Sequence, residues 1–127
     1  MSIARLPAFE STDRRPAAEI RFGVIGYGYW GPNIARNISG LDQGRLLAVC
    51  DRSSDALKRA GKVYPGATLT TDPTEILTSP HVDAVAVVTP VWTHYELAKA
   101  ALEHGKHVFV EKPFTSTSRQ AEELIEL

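Results

Sequence analysis

The chain has a single cysteine, Cys50, among 127 residues, which excludes an internal disulfide. Cys50 closes an apolar run, so it reads as a small buried thiol and not as a nucleophile. An excess of charge of either sign is also lacking: 14 Lys and Arg stand against 15 Asp and Glu, for a formal net charge of −1. No basic face for nucleic acid or an anionic membrane is therefore expected. Nor is there an apolar run long enough for a signal sequence or a membrane span, so a cytoplasmic location is expected. Histidines are few, and His81, His104 and His107 have no spacing that builds a metal site with Cys50 or a carboxylate pair; no metal is expected.

With 43% hydrophobic and 23% charged residues, the chain suits one globular domain able to bury a core without staples. Residues 1–18 carry Pro7, Pro16, mixed charges and no period, and read as a flexible leader; Glu10 and Asp13 argue against a transit peptide. Residues 19–127 form the predicted domain, in which apolar strand patterns alternate with helical ones. Phe22, Val24 and Ile25 mark a first strand, and Trp30–Ser39 a helix with Ile34 and Ile38 on one face and Gly40 placed for a left-handed C-cap. Arg45–Cys50 is a second strand. The next helix starts near Ser53 or Ser54, turns Leu57, Ala60 and Tyr64 inward, and ends at Pro65-Gly66.

A short strand at Thr68–Thr70 precedes Asp72-Pro73-Thr74-Glu75, a capping-box sequence that starts a short helix. Val82–Val88 is almost continuously apolar and β-branched, as befits a central parallel strand covered on both faces. Thr93-His94-Tyr95-Glu96 reads as a second capping box, opening a helix with Leu97, Ala101 and Leu102 inward and Gly105 as its stop. His107–Val110 is the fifth strand, and a last helix follows Thr117. The predicted fold class is α/β, a Rossmann-type doubly wound parallel sheet of about five strands.

The chemistry starts with Gly26, Gly28 and Gly31, spaced G-x-G-x-x-G between the first strand and the first helix. In that context the first glycine permits a tight turn, the second lets backbone N–H groups approach a pyrophosphate, and the third lets helix pack on strand. Pro32 is tolerated in the first helical turn, where its missing N–H costs nothing. Asp51 follows the second strand, about 20 residues beyond Gly31, where an acid accepts hydrogen bonds from the adenosine ribose hydroxyls. A carboxylate there repels a 2′-phosphate by about 1 kcal/mol in water and about 4 at a half-buried site, which favours NAD over NADP. Arg52 opposes that preference, since its guanidinium could stack on adenine or meet a phosphate.

The same glycines and acid would equally suit a methyltransferase that binds S-adenosylmethionine. Glu111-Lys112-Pro113, at the end of the fifth strand, falls on the carboxyl edge of the sheet, where ligands bind in open α/β folds. A lysine there can orient a substrate hydroxyl or assist proton transfer as hydride leaves; a solvated surface pair is the plainer alternative.

Taken together, Gly26-Tyr27-Gly28-Tyr29-Trp30-Gly31, Cys50-Asp51, Thr89-Pro90 with His94 close behind, Gly105-Lys106-His107-Val108 and Glu111-Lys112-Pro113 resemble the glucose-fructose oxidoreductase/inositol dehydrogenase (Gfo/Idh/MocA) family from about Ile20 to Leu127. The resemblance implies NAD(P)-dependent oxidation of a sugar, nucleotide-sugar or cyclitol hydroxyl. By it, Gly26, Gly28, Tyr29, Trp30 and Gly31 would cradle the pyrophosphate, and Asp51 and Arg52 would hold the adenosine ribose. Thr89, Pro90 and His94 would lie on the nicotinamide side, with Glu111 at the nicotinamide ribose or carboxamide. Lys112 would be the catalytic lysine, and a cis Pro113 would set how it points. The wording YGYWGPN…RN is most similar to the branch that oxidises the 3-hydroxyl of nucleotide-activated amino sugars.

Read without the resemblance, His94 is a solvated residue of a first helical turn. Family members are considerably longer, with a sixth strand and a second, α+β domain carrying a catalytic histidine. This implies a truncated N-terminal domain, inactive alone, with apolar surface where the second domain would lie, and a possible homo-oligomer in the full-length family. A non-catalytic nucleotide-binding or assembly module is the competing reading; Lys112, which such a module does not need, favours the oxidoreductase.

Overall fold

The computed structural model describes residues 19–111, 115 and 117–127. The leader, Lys112 and Pro113 lie outside the described residues. The elements in chain order are β1 (Ile20–Ile25), α1 (Gly31–Ser39), β2 (Gly44–Cys50), α2 (Ser54–Val63), β3 (Thr68–Thr70), α3 (Pro73–Leu77), β4 (Ala84–Val87), α4 (His94–Glu103), β5 (His107–Val110) and α5 (Ser118–Ile125). The strands form one parallel sheet in the order β3-β2-β1-β4-β5, with β1 central. The order reverses between β1 and β4, so the loops that follow these two strands part there and open a crevice at the carboxyl edge.

Alternation along each strand assigns side chains to two cores. Ile25, Cys50, Val85 and Val87 pack with Ile76, Leu77 and Ala101 beneath α3 and α4. On the other face Val24 and Ala86 pack with Ile38 of α1, and Val49 with Ala35, Ala56, Leu57 and Ala60 of α1 and α2. The first core extends to Val108 and Val110 of β5, whereas the second stops short of that strand. Phe109 is 49% exposed, and a mostly apolar groove of about 280 Å³ runs past Phe22, Ile34, Ile38, Leu41, Ala86 and Phe109.

Helix termini depart from the sequence reading in three places. Gly40 does not adopt a left-handed conformation (φ −86°); its N–H reaches the Arg36 carbonyl without it, whereas Gly105 does take φ +75° after α4. At α3, Asp72 caps the Thr74 N–H, but Glu75 does not close a capping box: it accepts the Thr70 hydroxyl, which itself accepts the Asp72 N–H. At α4 there is no side-chain cap at all. A 3-10 turn over Val91–Thr93 feeds straight into the helix, so Thr93 is already helical and its hydroxyl turns back to the Pro90 carbonyl.

The amino edge is fastened by buried charge. Asp83, itself buried, accepts the Arg21 N–H at 2.9 Å and the Arg21 Nε at 3.2 Å. Lys106 reaches under α3 to donate to the carbonyls of Ser79 and Val82 at 2.7 and 2.9 Å. Desolvation lowers the Lys106 pKa, partly offset by Asp83. The Gly105-Lys106 pair thus closes the fold at the edge opposite the crevice.

Candidate functional site

The first wall of the crevice is the turn between β1 and α1. Gly26 sits at φ +107°, and a Cβ there would meet the Val88 carbonyl oxygen at 2.4 Å; at Gly31 it would meet the Gly26 carbonyl oxygen at 2.3 Å. Only glycine permits this turn and this approach of helix to strand. Gly28 differs, because nothing lies within 4 Å of a Cβ built on it: it faces the open crevice. Between them the Tyr27 side chain turns inward and is 4% exposed, packed against α1 and α2. Burial raises its phenol pKa, helped by Tyr64 and opposed by Arg59. Tyr29 and Trp30 meet edge to face on the outside of the turn. Trp30 is the N-cap of α1, its side chain caps nothing, and the first turn holds no acid, so helix N–H groups remain open to an anion.

Asp51 lies beside this turn. Its carboxylate accepts the Tyr27 N–H at 2.7 Å through Oδ2 and the Ser53 N–H at 2.8 Å through Oδ1. Ser53 in turn caps α2 by accepting the Ala56 N–H.

The second wall is the loop after β4. The Thr89 hydroxyl meets that of Thr93 at 2.5 Å, while Nε2 of His94 lies 2.7 Å from the Thr89 carbonyl oxygen. A carbonyl only accepts, so Nε2 carries the hydrogen and donates it. His94 is 1% exposed, which corrects its reading as a solvated first-turn residue. The 3-10 turn brings its ring back under the loop, where it supports Thr89 from behind and does not line the crevice.

The structure gathers Gly26, Gly28, Tyr29, Trp30, Asp51, Thr89, Pro90 and Glu111 around one cavity of about 380 Å³, together with Val88. Gly31 lies just behind, at the start of α1. Arg52 lines a second cavity of about 420 Å³ on the α4 side, with Cys50, Pro90, Trp92, Thr93 and Leu97. The two cavities share Thr89 and Pro90 and so form adjoining compartments along the carboxyl edge. Burial, with Asp51 next, pushes the Cys50 thiol up to about 11, so the cysteine is inert.

An open backbone cradle at Gly28, uncapped helix N–H groups and a carboxylate one strand away fit a dinucleotide: pyrophosphate at the turn, a ribose near Asp51. Sequence reasoning missed the Tyr27 N–H and the bracing role of His94. Nothing local signalled either one: every non-proline residue carries a backbone N–H, and the Tyr27–Asp51 bond joins residues 24 apart in the chain.

Comparison with known proteins bears on the same residues. Residues 20–127 match the model of the oxidoreductase family with an NAD-binding Rossmann fold. The chain is 42% identical over 105 residues to the oxidoreductase YdgJ of Escherichia coli strain K12, covering 83% of this chain and 30% of that protein. It is 36% identical over 107 residues to myo-inositol 2-dehydrogenase of Thermotoga maritima, covering 84% and 32%. Among solved structures, scyllo-inositol dehydrogenase of Lactobacillus casei with bound NAD(H) and scyllo-inositol superposes with a TM-score of 0.79 at 28% identity, covering 85% and 32%. The chain thus spans under a third of the length of these relatives.

Proposed function

The chain belongs to the Gfo/Idh/MocA family of oxidoreductases, as its NAD-binding Rossmann domain, and from that premise we propose that it holds NAD for oxidation of a sugar, nucleotide-sugar or cyclitol hydroxyl. The observation that carries the proposal is the convergence of Gly28, the open N-terminus of α1 and Asp51 on one cavity. The pyrophosphate would lie against Gly26, Gly28 and the α1 N–H groups, bordered by Tyr29 and Trp30. The adenosine ribose would face Asp51, and the base would enter the adjoining cavity, where Arg52 and Trp92 offer flat surfaces. Thr89, Pro90 and Glu111 then border the nicotinamide half.

A bound nicotinamide supplies the hydride acceptor. On this reading Lys112, one residue beyond Glu111, orients the substrate hydroxyl and takes part in moving its proton. His94 acts through Thr89 and not by touching cofactor. Among the described residues that line the cavity none is a histidine; binding of dinucleotide without oxidation of a polyol is the behaviour expected of this domain by itself. The wording YGYWGPN…RN supports a nucleotide-activated amino sugar as the finer substrate assignment.

Fluorescence titration with NADH and NADPH tests the proposal, with NADH expected to bind more tightly. No binding of either by folded protein overturns it, and equal affinities overturn the NAD preference. The reading as a non-catalytic module would gain if Lys112→Ala left turnover unchanged in a complete enzyme carrying this domain.

A further inference from the structure

We propose that Asp51 is the catch of the glycine turn, so that the residue which selects the cofactor also sets the shape of the phosphate cradle. This deepens the dinucleotide reading and rests on it for its second readout, while its first needs no cofactor.

The geometry is specific. Tyr27 lies between Gly26 and Gly28, and its buried side chain fixes the peptide that precedes Gly28. Its N–H points at Asp51 Oδ2 at 2.7 Å, in the range of a charge-assisted bond. The other oxygen of the same carboxylate takes the Ser53 N–H at 2.8 Å, at the N-cap of α2. One side chain therefore bridges the turn after β1 to the turn after β2. Backbone bonds flank the bridge, from the Gly26 N–H to the Cys50 carbonyl at 2.8 Å and from the Asp51 N–H to the Thr70 carbonyl at 3.2 Å. Each carboxylate oxygen has a second lone pair, so both backbone bonds can persist while the ribose hydroxyls bind.

Charge and clamp are thus separable functions of one residue. Repulsion of a 2′-phosphate needs the negative charge, whereas the Tyr27 N–H needs only an acceptor oxygen. Asp51→Asn removes the charge and keeps one acceptor oxygen, which suffices for the Tyr27 N–H while the Ser53 N–H is left facing the amide NH2; Asp51→Ala removes the charge and both acceptors. The asparagine variant should lose the NADH preference yet keep the Tyr27 amide protected from exchange, within about threefold of wild type. In the alanine variant, Tyr27 should exchange on the order of tenfold faster without any cofactor. Its affinity for NADPH should fall several-fold, roughly fivefold, below that of the asparagine variant. A purely structural role would not split NADH from NADPH, and a purely ribose-binding role would not change exchange in the free protein.

The decisive measurement on wild type is the through-hydrogen-bond scalar coupling between the Tyr27 amide nitrogen and the Asp51 carboxylate carbon, which requires no variant to fold. Its absence overturns the clamp, as does an alanine variant with wild-type exchange at Tyr27 or with NADPH affinity equal to that of the asparagine variant. If wild type binds neither dinucleotide, the functional reading fails, while the coupling and the exchange still decide the clamp.

Discussion

The two loops that wall the crevice are fixed by opposite means. The turn after β1 is held by Asp51, a partly exposed carboxylate that receives two backbone N–H groups. The loop after β4 is held by His94, a buried ring whose Nε2 donates to the Thr89 carbonyl. A group at the surface can serve the fold and a ligand together, because water or a hydroxyl reaches its remaining lone pairs. A buried group serves the fold alone and touches ligand chemistry only through what it positions. Substitution of the first should therefore change which dinucleotide binds, and substitution of the second only how well either binds.

The largest effect should come from Gly26→Ala, which strains both walls at once: a Cβ at φ +107° runs into the Val88 carbonyl. Urea unfolding should show a loss of about 3 kcal/mol or more, with dinucleotide binding abolished. A stable, binding-competent variant would mean that the walls are not pressed together as described.

His94→Ala should cost about 2–4 kcal/mol through the cavity and the lost hydrogen bond, and should weaken NADH and NADPH in equal proportion. Unequal loss would place the ring in contact with the cofactor. Asp51→Ala should be milder in stability, about 1–2 kcal/mol, but should weaken NADH more than NADPH in the fluorescence titration. The reverse order would contradict the role given to the acid.

The smallest effect concerns Cys50, beneath the second compartment. Its thiol pKa is raised from the ordinary 9.0 to about 11, so the buried neutral thiol contributes stability in full below pH 9, and that contribution is lost as the pH rises through about 11. The difference in unfolding free energy between wild type and Cys50→Ala should accordingly narrow above pH 9. Maleimide labelling of the native chain at pH 8 should also be slow, and rapid labelling would contradict the burial.

Much of the fold was legible because its signals are local. The continuous apolar stretch around Val85 and Val87 marks a strand covered on both faces, and a glycine turn between strand and helix can be read from a handful of neighbouring residues. Cap geometry was less legible. Asp72 and Thr117 cap as their sequences suggest, yet Glu75 and Thr93 found other partners, because a hydroxyl or carboxylate bonds to whichever group the packed chain brings within about 3 Å. The exposure of Phe109, beside a groove bordered by Ile34 and Ile38 of α1, likewise is a matter of tertiary packing that alternation within β5 does not reveal.

By itself the amino-acid sequence determined the alternation of strand and helix, the three glycines of the turn and the position of Asp51 at the end of β2, since each follows from periodicity, backbone sterics and chain spacing. Tertiary structure alone decided that Asp51 grips the Tyr27 N–H from 24 residues away and that His94 turns under Thr89 instead of into water. The reason is physical: a hydrogen bond acts over about 3 Å, and only the closing of the parallel sheet brings those donors and acceptors within that reach.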